Sequence, residues 1–155
     1  MLLLRIHTAP CREFLVSAVP YFLLASAAIV FGLGSLHLLF TFRGPRFDPR
    51  DAALKRRMQE VALVLTGETT VWKAWIGFNA SHSLGAILFG AVYAHLALQR
   101  PEVLTASPFL LGLGAVLLAL YVGLAWAYWF RIPLRGLGLA LLLYLLGLGQ
   151  ILLQG

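Results

Sequence analysis

Along this chain long apolar runs alternate with short polar stretches. The runs cover Phe14 to Phe42, Val71 to Leu98, Pro108 to Phe130 and Leu134 to Leu153. A helix of about 20 residues, rising 1.5 Å per residue, crosses the roughly 30 Å of hydrocarbon in a bilayer. The pattern therefore predicts an all-α fold, an integral membrane four-helix bundle occupying residues 1–155 as a single membrane domain. Residues Met1 to Glu13 begin with MLLLRI, too short for a signal-peptide core, and are expected to form a tail at the interface.

Polar positions inside the runs fall on faces. In the first span, Ser26, Val30, Gly34, His37 and Thr41 line one side of a helix, predicting a stripe turned into the bundle. Pro20 lies about two turns into that span, where a kink is tolerable if neighbours satisfy the freed carbonyl. In the second span, Trp75, Asn79, His82, Ser83, Ala86, Gly90, Tyr93 and Ala97 share a polar and small face. Gly77, Ser81 and Gly85 form a small-residue row opposite, so two close-packing faces are expected, one of them meeting the stripe of the first span. The fourth span offers Gly136, Gly138, Gly147 and Gly149 for close helix contact.

The stretch from Arg43 to Thr70 is the only sizeable loop, and it has a period of its own. Asp48 before Pro49, with Asp51 following, reads as a cap, a first-turn proline and a first-turn acid. Leu54, Met58, Val61, Ala62 and Leu65 then recur on one side, opposite Arg50, Lys55, Arg56, Arg57, Gln59 and Glu60. This predicts an interfacial amphipathic helix over residues 49–66, ended by Gly67, with Asp51 paired to Lys55 and Arg56 to Glu60. Its basic side, Arg50, Lys55, Arg56 and Arg57, is the expected surface for anionic lipid headgroups. Arg100 to Glu102 and Arg131 to Arg135 read as short turns.

Composition agrees with the pattern. The chain is 61% hydrophobic and 12% charged, against the 45–50% apolar content of ordinary soluble domains. Its net charge of +6 would suggest nucleic acid, but the basic residues sit in loops and tails, where topology and anionic lipid account for them and no nucleic-acid partner is implied. Nine Lys and Arg fall within Arg43–Lys73 and Arg131–Arg135, against Arg5, Arg12 and Arg100 elsewhere. The positive-inside rule then places loops 1 and 3 in the cytoplasm and both termini outside. Ten arginines to two lysines hint at a GC-rich bacterial genome, hence an inner membrane. Trp72 and Trp75, with Trp126, Tyr128 and Trp129, form the expected aromatic belt at one interface.

Chemistry has few candidates. By helical rise, His37 lies roughly 7 Å, Asn79 roughly 12 Å and His82 roughly 16 Å in from the cytoplasmic end of their spans. His37, Asn79, His82, Ser83 and Tyr93 are therefore the expected ligand-binding residues of a polar cavity between spans 1 and 2, accepting a lipid-like or small apolar ligand. The plainer account makes them interhelical hydrogen-bond glue. Neutral imidazole is a common metal ligand, but spans 3 and 4 lack histidine, and His82 and His95 differ by roughly 140° around their helix, so neither metal nor cofactor is implied. His7 and His95 read as interfacial. Cys11 is the only cysteine, which excludes a thiol-pair redox enzyme. No acid lies within a span, which disfavours a proton-coupled transporter unless His37 or His82 carries the proton. Glu68 and Asp48 at the rim could assist a histidine base in lipid-headgroup chemistry, although helix capping and loop solvation are the favoured account of both.

The segments FDPRD (Phe47 to Asp51), TGETTVWKAWIGFNASHSLG (Thr66 to Gly85) and YWFRIPLRG (Tyr128 to Gly136) resemble an uncharacterised family of small four-helix bacterial integral membrane proteins. That resemblance implies the fold and the membrane location and carries over no catalytic residue. The expected function is binding, or assembly with a membrane protein partner or a second copy. The alternative is a histidine- or metal-dependent membrane enzyme.

Overall fold

The computed structural model describes residues 9–154, and their side chains from 19 to 153. Arg5 and His7, in the expected interfacial tail, lie outside the described residues, as do the side chains of Cys11 and Arg12. The elements run α1 (Ala9–Phe42), α2 (Ala52–Glu60), β1 (Ala62–Leu63), β2 (Thr66–Thr70), α3 (Val71–Gln99), α4 (Pro101–Ala106), α5 (Pro108–Tyr128) and α6 (Arg131–Gln154). Among the described residues four helical segments are long and apolar enough to cross a membrane: Val19–Phe42, Val71–Gln99, Pro108–Tyr128 and Arg131–Leu153. Only 22% to 33% of each is buried within the chain. Most of their surface is thus left for lipid, as an all-helical membrane protein requires.

Helix ends follow local chemistry. Beyond α1, Gly44 adopts φ +83° and Pro45 follows it, a left-handed residue and a helix breaker in succession. The helix expected over 49–66 is confined to Ala52–Glu60. Its N-cap is Asp51, whose carboxylate accepts from the Ala53 N–H at 2.7 Å, so the cap is not Asp48 and Pro49 is not its first residue. The expected pairings also change. Lys55 pairs with Asp48 at 2.7 Å, and Glu60 lies 3.7 Å from Arg57. Beyond Glu60 the backbone becomes an antiparallel hairpin, with Ala62 opposite Thr70 and Leu63 opposite Thr66. Six of the eleven residues from Val61 to Val71 are β-branched, and their stiff side chains favour a pleated backbone over another helical turn. The Arg100 turn is likewise extended by the short α4. Ser107 caps α5, its hydroxyl accepting from the Leu110 N–H.

The chain divides into two compact units. The first combines Met1–Phe31 with Phe89–Gly155. Within it Ser26, fully buried on α1, donates its hydroxyl to the Ala140 carbonyl of α6 at 2.7 Å. Gly90 of α3 lies flat against α1, where an added Cβ would stand 2.6 Å from the Phe31 Cβ and 2.7 Å from the Ala27 carbonyl oxygen. Gly147 of α6 meets Leu23 and Phe22 in the same way, at slightly greater distance. Tyr144 of α6, 1% exposed, donates to the Leu111 carbonyl of α5 at 3.0 Å. Gly114 of α5 makes room for that ring, since any Cβ there would collide with the tyrosine.

The second unit, Gly32–Leu88, holds the end of α1, the loop with α2 and the hairpin, and the start of α3. Here Gly34 of α1 approaches α3 so closely that a Cβ would meet the Ala86 Cβ at 2.9 Å, the Ile87 nitrogen at 3.0 Å and the Ser83 carbonyl at 3.1 Å. The α1 stripe is thus its packed side: Ser26, Val30, Gly34 and Thr41 are all buried. On α3 only one of the two expected close-packing faces is used. Ser83 and Ala86 are buried, whereas Gly77, Ser81 and Gly85 are exposed and Gly77 has nothing within 4 Å of its Cβ position. In α6, Gly138 and Gly149 have equally open surroundings.

These contacts predict opposite outcomes for like substitutions. Gly34→Ala and Gly90→Ala should each lower stability by about 1–3 kcal/mol through overpacking. Gly77→Ala should be neutral or gain up to about 1 kcal/mol from helix propensity. Unfolding of the three variants in mild detergent measures the difference.

Candidate functional site

The polar residues of the second unit meet in one layer. His37 comes from the stripe of α1, one turn before Thr41, whose hydroxyl donates back to the His37 carbonyl at 2.8 Å. Asn79 and His82 come from the third and fourth turns of α3. His37 Nε2 lies 2.9 Å from Asn79 Oδ1. The amide is oriented by its other end, because Asn79 Nδ2 donates to the Trp75 carbonyl at 2.8 Å. A carbonyl accepts only from the NH2 group, so Oδ1 faces the histidine and Nε2 must carry the hydrogen. The network thereby places a hydrogen on His37 Nε2, so that any lone pair the ring carries is on Nδ1. His82 stands edge-on beside it, ring centroids 5.4 Å apart at 71°.

Ser83 is completely buried, but its hydroxyl donates to the Asn79 carbonyl one turn earlier at 2.7 Å. It therefore packs beneath Gly34 instead of presenting its hydroxyl to a ligand. Tyr93 belongs to the other unit. Its hydroxyl donates to the Leu110 carbonyl of α5 at 2.7 Å, and its ring stacks on Phe89 at 4.4 Å. Its polar atom is committed to holding α3 against α5 within that unit. Of the five expected ligand-binding residues, His37, Asn79 and His82 come together directly.

The loop after α1 closes over this layer. Phe47 stacks on His37 with centroids 4.5 Å apart, and its carbonyl accepts from the Trp75 indole N–H at 3.1 Å. Beside it an open recess of about 350 Å³ is lined by Arg46, Phe47, Asp48, Pro49, Met58 and Trp75. Arg46 lies over the Phe40 ring at 4.2 Å. Lys55, bound to Asp48, also sits over the Trp72 ring at 4.9 Å, so one ammonium ties α2 to both the loop and α3. Arg50, Arg56 and Arg57 are exposed. The recess thus has mostly apolar walls with one cation, Arg46, and one acid, Asp48, the latter already paired with Lys55.

Phe47, Arg46 and Met58 were not among the expected site residues. The available signal was an aromatic residue immediately before a capping DPRD segment, in a loop whose cations outnumber its acids. Among the described residues no group of three or more His, Cys, Asp or Glu side chains is placed to hold a metal ion. No family model, curated protein or solved structure matches the chain.

Coupling between His37 and Asn79 should be measurable. A double-mutant cycle of His37→Phe and Asn79→Leu should return about 0.6–1.7 kcal/mol, the range of hydrogen bonds between membrane helices. Ser83→Ala, which removes only a bond within its own helix, should stay within about 0.5 kcal/mol of the parent. Reversible unfolding in mixed micelles gives both values.

Proposed function

We propose that this chain is a multi-pass protein of the bacterial inner membrane that binds a lipid-like ligand with an anionic head at the cytoplasmic mouth of the Gly32–Leu88 unit. In this reading both termini lie outside, loops 1 and 3 lie in the cytoplasm, and α2 rests in the headgroup layer with Arg50, Arg56 and Arg57 toward anionic lipid. The observation that carries it is the recess itself. Its walls, Phe47, Pro49, Met58 and Trp75, suit an acyl or ring system, and Arg46 suits a phosphate or carboxylate. Its volume of about 350 Å³ accommodates a headgroup and the start of a chain, not a whole lipid. The remainder of the ligand would stay in the bilayer, consistent with a site at the end of a span.

A second reading is favoured by the tautomer argument. An imidazole held as Nε2–H by an oriented amide, with a second imidazole edge-on to it, resembles a positioned base and supports a histidine-dependent reaction on a lipid or quinone. Phe47 lies over that base, so substrate access would require the loop to move.

The test uses protein purified in mild detergent, with native mass spectrometry of co-purifying molecules and titration of short-chain phosphatidylglycerol. Binding near one molecule per chain is expected. Arg46→Gln and Trp75→Ala should each weaken it about tenfold, equivalent to about 1.4 kcal/mol. Affinity unchanged in both variants would remove the recess as the site. A chemically altered lipid that appears with the parent protein and is lost in His37→Ala would favour the enzyme.

A further inference from the structure

The hairpin between α2 and α3 has an unusual tip. Leu63 opposite Thr66 closes a two-residue connection made of Val64 and Leu65, exposed to 110% and 91%. Tight hairpin turns ordinarily take Gly, Asn or Asp because their backbones need positive φ. No described non-glycine residue has positive φ, so this turn does without those residues, and its backbone does not require two aliphatic side chains either. Among the described residues nothing covers them.

Position supplies the missing partner. β2 ends at Thr70 and α3 begins at Val71 with no linker, so the hairpin grows directly from the end of a membrane-crossing helix. α3 has 29 residues and a length of about 43 Å, more than the roughly 30 Å hydrocarbon core, which leaves its outer turns in the headgroup zone. The five residues of β2 reach at most about 17 Å further. Exposed cations precede and follow the hairpin along the chain: Arg50, Arg56 and Arg57 in and before α2, and Lys73 on α3. From Arg50 to Lys73 five basic residues outnumber three acids, Asp51, Glu60 and Glu68.

We propose that the Val64–Leu65 tip is a membrane-binding finger that folds down into the headgroup layer of an anionic bilayer, its aliphatic side chains set among the first acyl carbons below the glycerol and the neighbouring cations on lipid phosphates. It places the hairpin, together with α2, on the leaflet from which α3 emerges. The surface is separate from the recess, so either can fail without the other.

Val64→Cys in a Cys11→Ser background, labelled with an environment-sensitive fluorophore and reconstituted into phosphatidylethanolamine/phosphatidylglycerol vesicles, tests it. The label should emit at shorter wavelength than on protein in detergent, resist aqueous iodide, and be quenched by lipids carrying a nitroxide near the glycerol. In phosphatidylcholine vesicles, or after Arg56→Gln with Arg57→Gln, nitroxide quenching should fall several-fold. The same label at Leu65→Cys guards against a local effect of one site. A water-like, iodide-accessible label at both sites in anionic vesicles overturns the proposal. So does shielding that appears only at high protein-to-lipid ratio, which would assign the tip to a second copy.

Discussion

Helices in a bilayer gain nothing from leaving water, so they must be held by close packing and by polar groups that lipid cannot satisfy. In this protein the close packing of α1 and α3 is made at glycine. Gly34 in one unit and Gly90 in the other bring the two helices to distances that no Cβ would survive. The polar layer of His37, Asn79 and His82 depends on the first of these contacts. Only because Gly34 sits almost on the Ser83 carbonyl, the Ala86 methyl and the Ile87 nitrogen can His37, one turn further along α1, reach the amide of Asn79 at 2.9 Å. A larger residue at 34 would separate the helices and leave both polar groups facing hydrocarbon.

The polar residues then divide by role. In the Met1–Phe31 and Phe89–Gly155 unit, Ser26, Tyr93 and Tyr144 each give their hydroxyl to a carbonyl of another helix, which is assembly. In the Gly32–Leu88 unit the layer is joined to a loop, the loop to a recess, and the recess through Asp48 and Lys55 to α2. Charge and irregular backbone are concentrated in that unit. Ligand recognition is therefore sought there.

The four membrane-crossing helices were legible because long apolar runs admit one reading. The packed stripe on α1 was legible because Ser26, Gly34, His37 and Thr41 share a face only at helical period. The pairing of His37 with Asn79 and His82 was accessible from depth alone. What helical period could not show was where the loop stops being helical. Leu54, Met58, Val61 and Leu65 fit a helix, but the β-branched residues from Val61 onward make a hairpin, so local stiffness overrode the period. It also could not separate the two small faces of α3. Gly77, Ser81 and Gly85 have the spacing of a contact row, yet the neighbouring helix lies against Ser83, Ala86 and Gly90. Tyr93 shared a face with Asn79, but its hydroxyl had a carbonyl of α5 closer to hand.

The bond from His37 to Asn79 decides whether this layer is an organised site or an accident of two polar side chains. Nitrogen-15 spectra of the ring-labelled protein in lipid bilayers, with His37 assigned by comparison with His37→Phe, observe it directly. A ring that carries a hydrogen on Nε2, with its Nε2 resonance shifted by Asn79→Leu, is the predicted result. A ring protonated only at Nδ1, or one indifferent to residue 79, would contradict the account.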